Sequence, residues 1–453
     1  MESPVPETAA ATPPDTAPTP DGPDGAGAPA NPPDNQPEPP SMAEMVRVFG
    51  RIGLLSFGGP AAQIALMHKE LVEDRPWLDE DGFLRALSLC MLLPGPEAMQ
   101  LATYAGWRQR GVAGGLLAGG LFVLPGALVI GVLVALYAAF GQLGPVQAAF
   151  TGVKAAVIVI VLQALRGVAR RALKSRDAWG LAGLAFLAIF ALNLPFPLII
   201  AAAAAWGYAR MSGPAAPAAA PAPPAAHPLR TAATWLVLWL APLALLSLAG
   251  PPLLAEIGWF FAWLAVVTFG GAYAVLAYMT QTVVAQFGWI STAQMIDALG
   301  LAETTPGPLI LVTQFVAMLA GFLSGGPGLA LAAGAVALWA TFVPCFLWIF
   351  LAGPFLDRLA ARPRLTAALS GVTAAVVGVI LNLSLWFALH VLFARVGRLD
   401  IGPLALPWPD LASLDPTALA LTALAAALAF GARWSMVPVL TLCAAVALGL
   451  NLL

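Results

Sequence analysis

From residue 44 onward the chain alternates between apolar runs and short polar or basic interruptions. The long runs cover 44–67, 83–105, 113–140 and 146–166, and shorter ones follow at 178–193 and 197–209. An additional run covers 231–249. The series then restarts at 256–280, 293–320, 327–353 and 366–390, with short segments at 416–430 and 434–453. A helix of about 20 apolar residues matches the hydrocarbon thickness of a bilayer. The runs are continuous rather than alternating at every second residue, which excludes an outer-membrane barrel. The pattern predicts an all-α, polytopic membrane protein.

Several runs are broken where a helix should be strongest. Ser56-Phe57-Gly58-Gly59-Pro60 interrupts the first and Leu93-Pro94-Gly95-Pro96 the second. Proline removes a backbone donor and clashes with the preceding turn, and glycine weakens a helix further. The breaks recur as Thr268-Phe269-Gly270-Gly271 and Thr304-Thr305-Pro306-Gly307-Pro308. Phe57 precedes Pro94 by 37 residues, and Phe269 precedes Pro306 by the same 37. Trp77 and Trp289 keep the 212-residue offset of the breaks. Three landmarks in register indicate an internal duplication.

The duplication gives a division of the chain. Residues 1–41 are a Pro-rich, acidic, disordered tail. The first membrane repeat is 42–210, an Ala/Pro-rich linker is 211–230, a connecting transmembrane helix is 231–249, and the second repeat is 250–453. With about six elements per repeat and one extra crossing between them, equivalent elements are offset by an odd number, so the repeats are inverted. Bends are expected at Pro125, Pro344 and Asn193-Leu194-Pro195. Loop charges fit this topology under the positive-inside bias. Placing Arg166, Arg170, Arg171, Lys174 and Arg176 in the cytoplasm also places there Arg47, Arg51, Arg108, Arg110, Arg210, Arg230, Arg358, Arg362 and Arg364, while Arg395 and Arg398 fall outside. The N-terminus is then cytoplasmic, and residues 68–81 form an acidic outer loop. Full spans give 13 crossings; if the first two elements of each repeat are re-entrant hairpins, the number falls to 9.

Composition agrees. Sixty per cent of residues are hydrophobic and 10% charged, against about 25% charged in a soluble domain. The net charge of −2 conceals an uneven distribution, because seven of the 23 acids lie in the tail, which has no Lys or Arg. The rest of the chain is net basic, which suits either the positive-inside bias or an anionic cargo. Cys90, Cys345 and Cys443 form no CxxC pair, and His68, His227 and His390 are dispersed. No metal site, cofactor or nucleic-acid partner is expected, and no P-loop, nucleotide fingerprint or Ser/His/Asp grouping points to an enzyme or an ATP-driven pump. The first hydrophobic segment is expected to serve as the insertion signal.

Unwound backbone inside a bilayer is tolerated only where it is buried in protein or lines a cavity. A helix that restarts after a break presents free N–H groups and its positive dipole end, which together form an anion site. Candidate binding residues are therefore Ser56, Phe57, Gly58, Gly59, Pro94, Gly95, Pro96, Thr268, Gly270, Gly271, Thr305, Pro306, Gly307 and Pro308. Ser56, Thr268, Thr304 and Thr305 suit helix capping or donation to an oxyanion. Lys154 is the lysine within an apolar run; it either faces a polar pathway or snorkels to an interface. Its equivalent is Thr373, since Thr151-Gly152-Val153-Lys154-Ala155-Ala156 aligns with Ser370-Gly371-Val372-Thr373-Ala374-Ala375. Gln100, Gln314 and Asn382 suit substrate binding or helix–helix hydrogen bonding. Glu97 and Glu303 flank the two Pro-Gly-Pro breaks and are candidates for carrying a coupling proton, or else act as caps or ion-pair partners.

Taken together, these stretches resemble the chromate ion transporter family in its long, two-domain form. The residues that carry the resemblance are Ser56–Pro60, Trp77-Leu78, Leu92–Pro96, Gln100-Leu101-Ala102 with its Gly-rich continuation to Pro125, Thr268–Gly271, Thr305–Pro308, Gln314-Phe315-Val316 and Gly378–Leu383, over roughly 44–390. Ala317 stands where the second half often has glycine. The resemblance implies a secondary transporter in a bacterial-type inner membrane. It would export chromate, confer resistance, and be driven by a proton gradient or the membrane potential. The alternative is a carrier of sulfate or another tetrahedral oxyanion. Expected partners are the oxyanion, protons, the lipid bilayer and a second copy of the chain.

Overall fold

The structure, a computed structural model, describes residues 39–211, 227–269, 272–356, 362–402 and 404–452. Most of the tail, most of the linker, Arg358 and the candidate residues Gly270 and Gly271 lie outside the described residues.

The first run is two helices, α1 (Met42–Leu55) and α2 (Gly59–His68), separated by the Phe-Gly-Gly break. Ser41 caps α1 by accepting from the Glu44 N–H. Gly58 and Gly59 both have left-handed φ, 87° and 78°, a conformation that only glycine adopts readily. The supposed charged loop is shorter than expected. α2 continues into a wide π turn (Lys69–Glu73), and α3 (Glu80–Leu92) begins under the Asp79 cap. After the Pro-Gly-Pro comes α4 (Glu97–Phe140), which turns not at Pro125 but at Arg110 and Gly111, where the backbone leaves helical values.

That turn is a reversal. A Cβ on Gly106 would overlap the Gly114 carbonyl and Ala118 Cβ, and one on Gly119 would overlap Thr103 Oγ1. In a straight helix, residues 103 and 119 would lie about 24 Å apart at 1.5 Å per residue. The short arm 97–109 therefore folds back on the long arm 112–140 through small residues. The start of α1 and the end of α2 meet at the same level, because Arg110 Nε donates to Pro40 O at 2.9 Å and Gln109 Nε2 to Trp77 O at 2.6 Å. Phe49 also packs on Trp77, with ring centroids 5.9 Å apart. Thus α1–α2 and α3 with the short arm of α4 are two re-entrant hairpins, and the acidic 68–81 segment, expected as an outer loop, lies instead on the side of the N-terminus and Arg110, because a chain that doubles back returns to the face it entered from.

α5 (Gly144–Ala172) is a long apolar helix, followed by short α6 (Arg176–Phe190) and α7 (Phe196–Arg210). α8 (Pro228–Ala249) packs on the second repeat, with Trp239 Nε1 donating to Ala340 O at 3.0 Å, and exposes Leu236, Val237, Leu245 and Leu248. The architecture then repeats. α9 (Pro252–Val267) and α10 (Ala272–Gln281), which ends in a π turn (Thr282–Gln286), form a hairpin with Phe260 and Phe261 against Trp289. α11 (Thr292–Glu303) starts with a Ser291 and Gln294 capping box. α12 (Val312–Ala352) reverses at Gly325 and Gly326, so that Gly334 sits against Met318. α13 (Pro363–Leu392) corresponds to α5, and short α14 (Pro416–Ala426) and α15 (Met436–Leu452) correspond to α6 and α7.

The two repeats interlock. The short helices α6 and α7 pack on α13, while α14 and α15 pack on α5. The contacts are close enough that Gly378 lies against the Ala182 carbonyl, Gly371 against Ala203 O, and Gly152 against Cys443 O. α6 runs along α13 in the same direction and begins just after α5 ends, so α5 finishes near the start of α13. Equivalent helices therefore run antiparallel, as inverted repeats require. Among the described residues five helical stretches are long and apolar enough to cross a membrane. Two of these contain the reversals. Four elements double back, the arrangement that underlies the lower end of the expected range.

One feature is absent from the sequence pattern. The polar loop 391–415 contains a β-hairpin, β1 (Val396–Ile401) and β2 (Leu404–Pro409), paired antiparallel with Ile401 opposite Leu404. It is held to the α6–α7 turn by Ala405 N–H donating to Ala191 O at 2.9 Å.

Candidate functional site

The four breaks meet in the middle of the molecule, and each joins the other repeat. Gly95 N–H donates to Thr268 O at 2.8 Å, and Gly307 N–H donates to Ser56 O at 2.9 Å. Gly95 and Gly307 both have left-handed φ, 120° and 87°. Each Pro-Gly-Pro also rests on the partner repeat's long helix. A Cβ on Gly95 would come within 3.0 Å of Cys345 Sγ, and Gly126 lies directly against Pro306 O. Gln63 Nε2 reinforces one crossing by donating to Gly307 O at 2.6 Å and to Ser56 O at 3.2 Å. Gln100 Nε2 braces the other through Pro94 O at 2.7 Å.

The hydroxyls near the breaks are used within their own helices. Ser56 Oγ donates to Ile52 O and Thr268 Oγ1 to Leu264 O, each at 2.5 Å. Thr304 donates to Leu301 O at 2.7 Å and Thr305 to Ala302 O at 2.8 Å. In this structure they satisfy carbonyls at the ends of the broken helices. Pro94, Pro96, Pro306 and Pro308 are buried, and Phe57 is partly exposed.

A cavity of about 280 Å³ opens at the first repeat's breaks. Gly58, Gly59 and Pro60 line it at the start of α2, and Gly95 and Glu97 at the start of α4. Both helix starts bring unpaired N–H groups and positive dipole ends to this wall. From there the cavity runs past Gln163, Gly167 and Arg171 of α5 toward that helix's C-terminal end, with Thr373 and Tyr273 opposite. Arg171 is the cation in the described lining and Glu97 the carboxylate. Glu303 stands one step behind: Tyr273 OH donates to its Oε1 at 2.9 Å.

Other candidates lie elsewhere. Lys154 does not line this cavity and does not snorkel. Its Nζ lies 3.0 Å from Asp297 Oδ1, while Tyr137 OH donates to Asp297 Oδ2 at 2.8 Å. This buried pair joins α5 of the first repeat to α11 of the second. Gln314 Nε2 donates to Ala127 O at 2.9 Å, a bond between helices. Asn382 lines a separate cavity beside the β-hairpin. Sequence reasoning missed Arg171, Gln163, Tyr273, Asp297, Tyr137 and Gln63. Asp297 was detectable as an acid inside an apolar run, six residues before Glu303, whereas Arg171 was hidden among the loop-flanking basics.

The sequence profile of the chromate transporter family matches residues 43–208 and 255–450, the two interlocked halves. The chain belongs to the chromate transporter family. A chromate transport protein of Cupriavidus metallidurans is 31% identical over 363 residues, covering 76% of this chain and 86% of that protein. A chromate transport protein of Pseudomonas aeruginosa is 34% identical over 379 residues, covering 81% and 85%. A probable chromate transport protein of Synechococcus elongatus is 31% identical over 344 residues, covering 75% and 83%. No solved structure matches. Membership fits the molecule: a multi-pass transporter with its broken helices crossed between inverted repeats.

Proposed function

We propose that the protein is a secondary transporter that exports chromate from the cytoplasm and thereby confers chromate resistance. The observation that carries this reading is the reciprocal crossing of the breaks, Gly95 to Thr268 and Gly307 to Ser56, beside a cavity lined by two helix starts and Arg171. Broken helices whose N-terminal ends face an anion near the midplane are a secondary-transporter design. Gly58, Gly59 and Arg171 bind the oxyanion, and Gly95, Gln163 and Thr373 shape the wall. On the second side, Thr268, Thr305, Pro306, Gly307 and Pro308 approach the same site through the pseudo-two-fold relation, and Gly270 and Gly271 are assigned to it from the sequence repeat alone.

Direction follows from charge. The cavity leads to the end of α5 that carries Arg166, Arg170 and Arg171. By the positive-inside bias this end is cytoplasmic, as is the N-terminus, in an inner membrane. A dianion leaving a negative-inside cell gains about 4.6 kcal/mol per 100 mV, twice the value for one elementary charge. Glu97 adds proton linkage. A carboxylate in the cavity wall opposes a dianion, so protonated Glu97 admits it, with Glu303 and Tyr273 as the second proton station. Sulfate is the competing substrate, since backbone N–H groups and a guanidinium recognise any tetrahedral dianion.

The test is labelled chromate flux in proteoliposomes at fixed membrane potential, competed with sulfate and run with and without a pH gradient. Saturable chromate flux driven by the potential is expected. Its absence would sink the reading; stronger competition by sulfate than by unlabelled chromate would make sulfate the substrate. Flux indifferent to the pH gradient would remove Glu97 and Glu303 as proton carriers.

A further inference from the structure

A second cavity, of about 400 Å³, lies at the other end of the molecule between α13, the α10 end, the α6–α7 turn and the β-hairpin. One wall of it, the α13 face, is the pseudo-symmetric copy of the α5 face that lines the first cavity. The 219-residue offset that takes Lys154 to Thr373 also takes Gln163 to Asn382, Ala164 to Leu383, Gly167 to Trp386 and Arg171 to His390. The four α5 residues line the first cavity, and their four α13 equivalents line the second. Arg398 of β1 and Asn193 of the α6–α7 turn add polar groups. Thr280 also lines it, and its hydroxyl is buried with no hydrogen-bond partner. A buried hydroxyl in that state is costly unless something fills the site.

The substitution of histidine for arginine at the equivalent position carries the chemistry. His390 Nδ1 donates to Trp386 O at 2.9 Å, and its ring lies against the Trp386 indole at 4.4 Å between centroids. With Nδ1 carrying the hydrogen, neutral His390 has only a lone pair on Nε2 and cannot donate to an oxyanion. Protonation converts Nε2 into a charged donor. Among the described residues the lining holds no carboxylate, and its other charged group is Arg398, which donates to the exposed Asp400 at 2.8 Å. We propose that this cavity is a second site for the tetrahedral dianion, the vestibule on the discharge side, and that His390 sets how firmly it holds the ion. This rests on the transport reading above. A permanent cation serves loading, and a titratable one serves release: neutral His390 lets the dianion go, and acid outside retains it.

The experiment uses right-side-out membrane vesicles loaded with labelled chromate, with sulfate added outside. Sulfate stays a dianion over the range used. Efflux with and without outside sulfate is compared at about pH 5.5 and about pH 8, on either side of the ordinary imidazole pKa of about 6.5. Taking the ratio at each pH removes any direct effect of pH on flux. Half-inhibition by sulfate is expected at a concentration lower by about tenfold at the acid pH, as a charge-assisted hydrogen bond gives. His390→Gln should abolish that difference, and His390→Arg should give strong inhibition at both pH values. Efflux that outside sulfate does not inhibit in His390→Arg, or a pH dependence that survives in His390→Gln, would overturn the second site alone. No chromate efflux in any vesicle would overturn the transport reading and this inference with it.

Discussion

The Lys154–Asp297 pair offers a quantitative test of how the repeats are held together. Asp297 is 2% exposed and Lys154 18%, and Tyr137 occupies the second carboxylate oxygen. Asp297→Asn keeps the size and the Tyr137 bond but leaves a buried ammonium without a counter-charge. Removing one partner of a buried pair costs about 3–5 kcal/mol, and the partial exposure of Lys154 places this variant near ~3. With about 2.1 cal/mol/K of unfolding entropy per residue, a chain of 453 residues loses roughly 3 °C of midpoint for ~3 kcal/mol. Lys154→Met/Asp297→Leu removes both charges, and its midpoint should return to within ~1 °C of the parent, because replacing a buried pair with apolar groups is close to neutral. The assay is thermal unfolding in detergent, followed by monodispersity on size exclusion, for the parent, both single variants and the double. An unchanged midpoint in Asp297→Asn, or a double variant as unstable as the two singles added, would refute the pair as an inter-repeat lock.

Further outcomes follow from the same geometry. Gly95→Leu places a branched side chain at φ 120°, against Gln100 Nε2 and Cys345; chromate exclusion by expressing cells should be lost while the protein still reaches the membrane. Arg171→Ala should raise the half-saturating chromate concentration by about tenfold, the loss of one charged hydrogen bond, with Arg171→Lys intermediate, as read by flux titration. His68 is bonded to Glu80 at 2.7 Å and Glu73 at 3.1 Å. The Glu80 bond, then the charges of both carboxylates, raise its pKa above the usual 6.5 despite some burial. Its stabilising contribution is therefore complete below about pH 6.5 and fades as pH rises through the higher folded value. His68→Gln should flatten the loss of unfolding midpoint as pH rises above about 6.5.

The sequence settled what depends on local composition and on spacing along the chain. Apolar run lengths fixed a helical membrane protein. The Phe-Gly-Gly and Pro-Gly-Pro breaks, repeated at one offset, fixed the duplication, and an odd element between the halves fixed its inversion. The positions where the helices stop were legible because proline and glycine act on their own turn of backbone. Arg110-Gly111 and Gly325-Gly326 were not read as reversals, since a Gly-rich apolar stretch can kink or turn back with the same composition. Only the packing of Gly106 on Gly114 and of Gly334 on Met318 decides between these outcomes. The tertiary structure alone decided the partners. Lys154 finds Asp297, Gly95 finds Thr268 and Gly307 finds Ser56, each across the repeat boundary and more than a hundred residues away in sequence. Such pairings depend on where two distant helices cross. Hydrophobic periodicity specifies which face of a helix is buried but not which helix it meets, so the cavity, its Arg171 wall and its His390 counterpart emerged only from the interlocked fold.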